Sequence, residues 1–181
     1  MHTILWRRLD TAGHDACRLI QGERGSRLEG VATFRHGRDA ACLFYEVDCD
    51  EAWRTREGLV RGWIGAQTFE FRIKRGANGT WTVNEEIVTG TEGCIDLDFG
   101  FTPATNLFQL RRVALQVGEA ADVPVAWFDL PEASLQVVHQ RYEHRTLDTY
   151  WYESPRFQYS ALLRVNAAGF VEKYPELWEA E

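Results

Sequence analysis

The chain has 181 residues, of which 45% are apolar and 26% charged, and its formal net charge is −7. A chain of that length can bury roughly 70% of the surface its unfolded form exposes, so one domain over residues 1–181 is the expected organisation. The acidic balance speaks against nucleic acid or an anionic membrane surface as main partner, because both are held by clustered positive charge.

No apolar run reaches the roughly 18 residues of a membrane-spanning helix, so no membrane-spanning segment is expected. The opening residues, Met1 to Arg8, lack the apolar stretch and cleavage site of a secretory signal, and a cytoplasmic location is the expectation. The cysteines, Cys17, Cys42, Cys49 and Cys94, form no Cys-x-x-Cys pair and read as small buried hydrophobes.

Along the chain, residues 27–35 alternate imperfectly and run into His36-Gly-Arg-Asp39, which suits a tight reversal. Residues 41–48 are apolar at nearly every position, as expected of a strand covered on both faces or lining a cavity. Residues 55–64 and 68–74 predict a hairpin around Gly65-Ala66, and Phe69, Phe71 and Ile73 define the buried side of its second strand. Asn78-Gly79 predicts another turn, after which residues 81–83 resume the sheet.

The texture then changes. Ile95, Leu97, Phe99 and Phe101 alternate with Asp96, Asp98 and Gly100, which gives an extended strand one oily and one acidic face. It runs into Thr102-Pro-Ala-Thr-Asn106, a turn or helix start, and then into Arg111 and Arg112. Residues 107–115 mix helical and strand spacing and predict a short helix or turn followed by a strand. Strands are expected at residues 122–128, 135–144, 149–153, 157–165 and 170–174, with turns at Pro131, Asp148, Pro155 and Gly169. Pro175 to Glu181 reads as a capping turn. Roughly ten to twelve short strands at this spacing predict a mainly β, antiparallel sandwich, roll or barrel.

Asp96 and Asp98 share a strand face, roughly 7 Å apart between Cα atoms. Two carboxylates so placed can divide acid and base work on a sugar. They can equally accept hydrogen bonds from Arg111, Arg112 or turn amides, the role favoured here. No histidine pair has metal-ligand spacing, no nucleophile elbow is present, and neither a Gly-x-Gly-x-x-Gly nor a phosphate loop appears, so no metal and no cofactor is expected. The aromatics fall mostly within predicted strands; most are core, and a minority can line a pocket for a hydrophobic ligand. Arg61 shares a strand side with Leu59 and Trp63, so it is either an inward charge that a polar ligand head could meet or, the reading favoured here, a cation at a sheet rim.

Asp96-Leu-Asp-Phe-Gly-Phe-Thr-Pro-Ala-Thr-Asn106 with Leu110-Arg-Arg112 resembles a bacterial glycolipid-binding protein family formerly described as a domain of unknown function. The resemblance extends to Trp53-Arg-Thr55, Val123-Pro-Val-Ala-Trp127, Gln140-Arg-Tyr142 and Gly169-Phe-Val-Glu-Lys-Tyr-Pro175, nearly the whole chain. It implies a highly curved antiparallel sheet, a spiral roll or half-open barrel with one or two short helices, similar to lipoprotein-localisation factors and a mycobacterial lipid-carrying lipoprotein. It brings no catalytic residues, and unlike the lipoprotein carriers this sequence shows no signal peptide or lipidated cysteine. The expected function is non-catalytic binding of a glycolipid or other amphiphile on the concave side of the sheet. Arg61, Trp63, Phe69, Phe71, Asp96, Asp98, Phe99, Phe101, Trp127 and Tyr152 are the candidate ligand residues, and Thr102, Pro103, Asn106, Arg111 and Arg112 are the candidate structural motif. The alternatives are a sugar or lipid hydrolase using Asp96 and Asp98, and an interaction module that pairs through an open sheet edge.

Overall fold

Period-two alternation over most of the chain produces strands, and a computed structural model describing residues 1–130 and 132–181 arranges them in one continuous sheet. In chain order these are β1 (His2–Arg8), β2 (Gly13–Gly22), β3 (Gly25–His36), β4 (Asp39–Cys49), β5 (Thr55–Ile64), β6 (Gln67–Arg75), β7 (Trp81–Val83), β8 (Glu86–Val88), β9 (Asp96–Phe99), β10 (Ala120–Asp129), β11 (Ser134–Thr146), β12 (Thr149–Ser154), β13 (Tyr159–Val165), β14 (Val171–Tyr174) and β15 (Trp178–Ala180), with one α-helix, α1 (Asn106–Val113). The order across the sheet is β8-β7-β6-β5-β4-β3-β2-β1-β15-β14-β13-β12-β11-β10-β9, highly curved and not closed into a barrel. The turn expected at Pro131 lies outside the described residues.

Two features depart from the sequence expectation of an all-antiparallel sheet ending in a capping turn. Residues 178–180 are a strand, paired with β1 in the middle of the sheet through Trp6↔Ala180 and Arg8↔Trp178. Trp178 is buried there, and the Trp6 indole donates to the Val171 carbonyl at 2.6 Å. β9 runs parallel to β10, with Asp98 beside Trp127, because the chain returns to the sheet through α1 and the following loop rather than through a hairpin.

β9 ends the sheet inside its own curl. The Leu97 amide donates to Thr55 Oγ1 at 3.1 Å, and a Cβ at Gly58 would stand 2.4 Å from Leu97 Cδ2, so glycine is what lets β5 and β9 approach. The inward positions of β5 are therefore Gly58, Val60 and Gly62. This reverses the expected parity: Arg61 and Trp63 lie on the outer, convex face and are exposed. β4 likewise is covered on one face, with Ala41, Leu43, Tyr45, Val47 and Cys49 buried and Phe44 46% exposed outside.

The interior of the first half of the sheet is filled. Every residue from Phe101 to Leu110 is buried. Phe99 and Phe101 stack at 5.2 Å, Tyr45 meets both edge-on at 5.9–6.1 Å, and Phe71 packs on Phe69 and Phe128. Removing any one fully buried ring of such a cluster costs about 3–5 kcal/mol. Helix α1 ends at Ala114, which is left-handed (φ 45), so the strand expected directly after it starts only at Ala120. Its last-turn arginines oppose the negative end of the helix dipole. The strand expected from residue 157 starts at Tyr159, because Pro155 opens a single 3-10 turn that closes on left-handed Gln158. All four cysteines are free, three buried and Cys42 half-buried. No helix among the described residues is long and apolar enough to cross a membrane.

Candidate functional site

Three buried aspartates fasten the central motif, and each has a different counterpart. Asp96 is fully buried and takes a two-pronged ion pair from Arg112, with contacts of 2.7 and 3.0 Å. Burial pushes its carboxyl up while the guanidinium pulls it down, with a net rise. Asp98 accepts from Thr105 Oγ1 at 2.6 Å and from Gln140 Nε2 at 2.7 Å, neutral donors only, and burial pushes it up to about 6. Asp15, on the inward face of β2, meets the Tyr45 hydroxyl at 2.9 and 3.1 Å and the Thr102 hydroxyl, and burial pushes it up to about 7.

The strand at Asp96 and Asp98 is thus buried on both faces rather than acidic toward solvent. The two carboxylates also do not flank a common cleft, since Asp96 is closed off by Arg112 and only Asp98 lines one. Arg111 points elsewhere: it donates to the carbonyls of Ala167 and Ala168 at 2.8–3.3 Å and sits 5.7 Å over Trp53, which in turn packs on Phe108. Asn106 donates to the Tyr142 hydroxyl at 2.8 Å, and that hydroxyl reaches Gln109 at 2.6 Å and Gln140 at 3.1 Å. A polar network therefore runs from α1 through β11 to Asp98.

That network floors a cleft of about 330 Å³ on the concave side of the sheet's second half. The floor is Asp98, Thr102, Pro103, Asn106 and Gln140; the walls are Trp127, Tyr152, Tyr159, Tyr174 and Trp178; Asp129 and Ser154 complete the polar lining. Trp127 and Phe157 tilt together at 5.3 Å, with Phe157 half-exposed at the rim. Tyr152 and Tyr174 meet edge-to-face at 5.5 Å, and Tyr159 is fixed by donating to the Pro175 carbonyl at 2.6 Å. A Cβ at Gly100 would fall 2.6 Å from Asp129 Oδ2 and 2.7 Å from the Trp127 ring, so glycine there keeps the wall in place.

Of the expected ligand residues, Asp98, Phe99, Trp127 and Tyr152 line this cleft, together with Thr102, Pro103 and Asn106 from the expected structural motif. Phe69, Phe71 and Phe101 belong to the packed interior instead. Arg61 borders a separate, shallow groove of about 440 Å³ on the convex face beside Phe44 and Leu59. In that groove Arg18 pairs with Glu29 at 2.5 Å, and Glu46 pairs with Arg27 beyond it at 3.5 Å. Asp129, Gln140, Ser154, Phe157, Tyr159, Tyr174 and Trp178 were not expected at a site. The sequence signals for Gln140 and Tyr142 are their place in the Gln140-Arg-Tyr142 stretch of the resemblance and their shared side of β11. Among the described residues no cluster of three or more His, Cys, Asp or Glu could hold a metal ion.

A family model described as "Putative glycolipid-binding" matches residues 3–180. A crystal structure of a DUF1089 family protein from Pseudomonas aeruginosa superposes with a TM-score of 0.80 over 91% of each chain at 23% identity, which shows a common fold. No curated protein matches the sequence.

Proposed function

The chain belongs to the family described as "Putative glycolipid-binding", and from that premise we propose that it binds the saccharide head group of an amphiphile in the cleft between Asp98 and Trp127, without chemical turnover. The observation that carries this reading is the pairing of aromatic walls with a buried polar floor. Sugar rings present C–H faces that pack on indole and phenol rings, while their hydroxyls donate to carboxylates and exchange hydrogen bonds with amides and hydroxyls.

A volume of about 330 Å³ lies at the small end of ligand sites, which suits one saccharide unit rather than a pair of acyl chains. The tail would leave over the half-exposed Phe157 at the rim. This moves the binding role from the phenylalanines of the packed interior to the tyrosines and tryptophans of the second half.

The test is tryptophan fluorescence titration with octyl β-glucoside and related alkyl glycosides below their micelle concentrations. Saturable binding that weakens at least tenfold in Trp127→Ala, with unchanged far-ultraviolet circular dichroism, supports the reading. Absence of saturable binding across the panel, or indifference to Trp127→Ala, refutes it.

A further inference from the structure

The charge in the cleft is one-sided. Its lining carries two carboxylates, Asp98 and Asp129, and among the described residues no lysine, arginine or histidine. Cations stand at its edge without hydrogen-bonding either carboxylate: Arg156 lies over the Trp127 and Phe157 rings at 5.6 and 5.9 Å and donates to Gln136, and Arg8 lies over the Trp178 ring at 5.3 Å and is held by Asp10 at 2.7 and 3.0 Å, while Arg8 and His36 offset in part the rise that burial gives Asp129. Both hydrogen bonds to Asp98 come from neutral groups, Thr105 and Gln140. Asp129 receives the Leu130 amide on Oδ1 at 2.8 Å, and its Oδ2 faces the bare backbone of Gly100.

A separate observation also points to a ligand. Ser154 is 1% exposed, lines the same cleft beside the Tyr152 hydroxyl, and its buried Oγ makes no hydrogen bond of good geometry. Buried hydroxyls are seldom left unpaired, so a partner entering the cleft is the natural complement. What it would meet is two carboxylates with no cation hydrogen-bonded to them, the Ser154 hydroxyl, and aromatic walls that attract cations through their ring faces.

Building on the reading that the cleft holds a saccharide head group, we propose that this head group bears a protonated amine, as an amino sugar does, and that Asp98 and Asp129 select it. The ammonium pairs directly with carboxylates that only neutral donors now reach, and donates hydrogen bonds that a hydroxyl-only sugar offers without charge. An anionic head group would face two like charges with no compensating cation in the lining.

Three ligands of equal tail length separate the outcomes: octyl 2-amino-2-deoxyglucoside, octyl glucoside and octyl glucuronide, titrated near neutral pH below micelle formation. The amino glycoside is expected to bind at least tenfold tighter than the neutral one, and the glucuronide weakest, with the spread shrinking in about 1 M salt. Asp129→Asn should cut the preference for the amino glycoside over octyl glucoside several-fold, and Asp98→Asn, as a second variant, should do the same. Equal or tighter binding of octyl glucoside overturns the charge assignment and leaves the saccharide reading standing. Failure of all three to bind removes both.

Discussion

Asp15 gives the sharpest quantitative prediction. Its side chain is fully buried between Tyr45, Thr102 and Cys17, and no cation is hydrogen-bonded to it. A carboxylate ionised there exchanges water for two hydroxyl donors, so its proton is held from the ordinary 3.8 up to about 7. At about 1.4 kcal/mol per unit, that rise corresponds to about 4 kcal/mol. The sign follows from proton counting: between 3.8 and 7 the folded state binds the extra proton, so stability falls as pH rises through this window and is fully present below it. Asp15→Asn keeps the shape and removes the charge. In guanidinium titrations, wild type and variant should have similar stability near pH 4, whereas near pH 8 the variant should be more stable by up to about 4 kcal/mol, a large share of a typical domain's total. A variant destabilised equally at both pH values would refute the reasoning, because it would mean that the ionised carboxylate is well satisfied in its site.

The Asp96–Arg112 pair should behave oppositely: Arg112→Met leaves a buried carboxylate unpaired and should cost about 3–5 kcal/mol, much of it recovered in Asp96→Leu/Arg112→Met, as read from denaturation midpoints. Gly58→Ala drives a methyl into Leu97 and should cost about 1–3 kcal/mol, and adding Leu97→Ala should reduce the penalty in a double-mutant cycle. Gly100→Ala crowds Asp129 and the Trp127 ring at the cleft wall, so glycoside binding should weaken by more than tenfold while the thermal midpoint moves little. A large stability loss with binding intact would contradict that placement.

Two strands next to marked turns were legible to the residue: Thr55–Ile64 and Trp81–Val83 are observed with the expected bounds. β1, β2, β8 and β15 were not, because their few apolar residues lie among polar and charged ones and gain meaning only from partners distant in sequence, as Trp6 and Trp178 do across the β1–β15 pairing. The parallel register of β9 was invisible for the same reason. Period two distinguishes the faces of a strand but does not say which is inward, and at Arg61 the glycines at 58 and 62, empty positions in any hydrophobic pattern, held the inward side. The central motif was legible as a unit, and the favoured pairing of its aspartates with an arginine is realised by Asp96 and Arg112. The cleft was not: it is assembled from β10 to β15 around that motif, and Asp129, Ser154 and Tyr174 converge only through the curl of the sheet.

The most direct measurement is two-dimensional NMR of backbone amides and tryptophan indoles during titration with octyl 2-amino-2-deoxyglucoside. Shifts confined to Gly100, Trp127, Ser154 and Trp178, with Phe44 and Trp63 silent, are the predicted result. Shifts clustering at Phe44, Leu59 and Trp63 on the convex face, or none at the highest concentration below micelle formation, would contradict it.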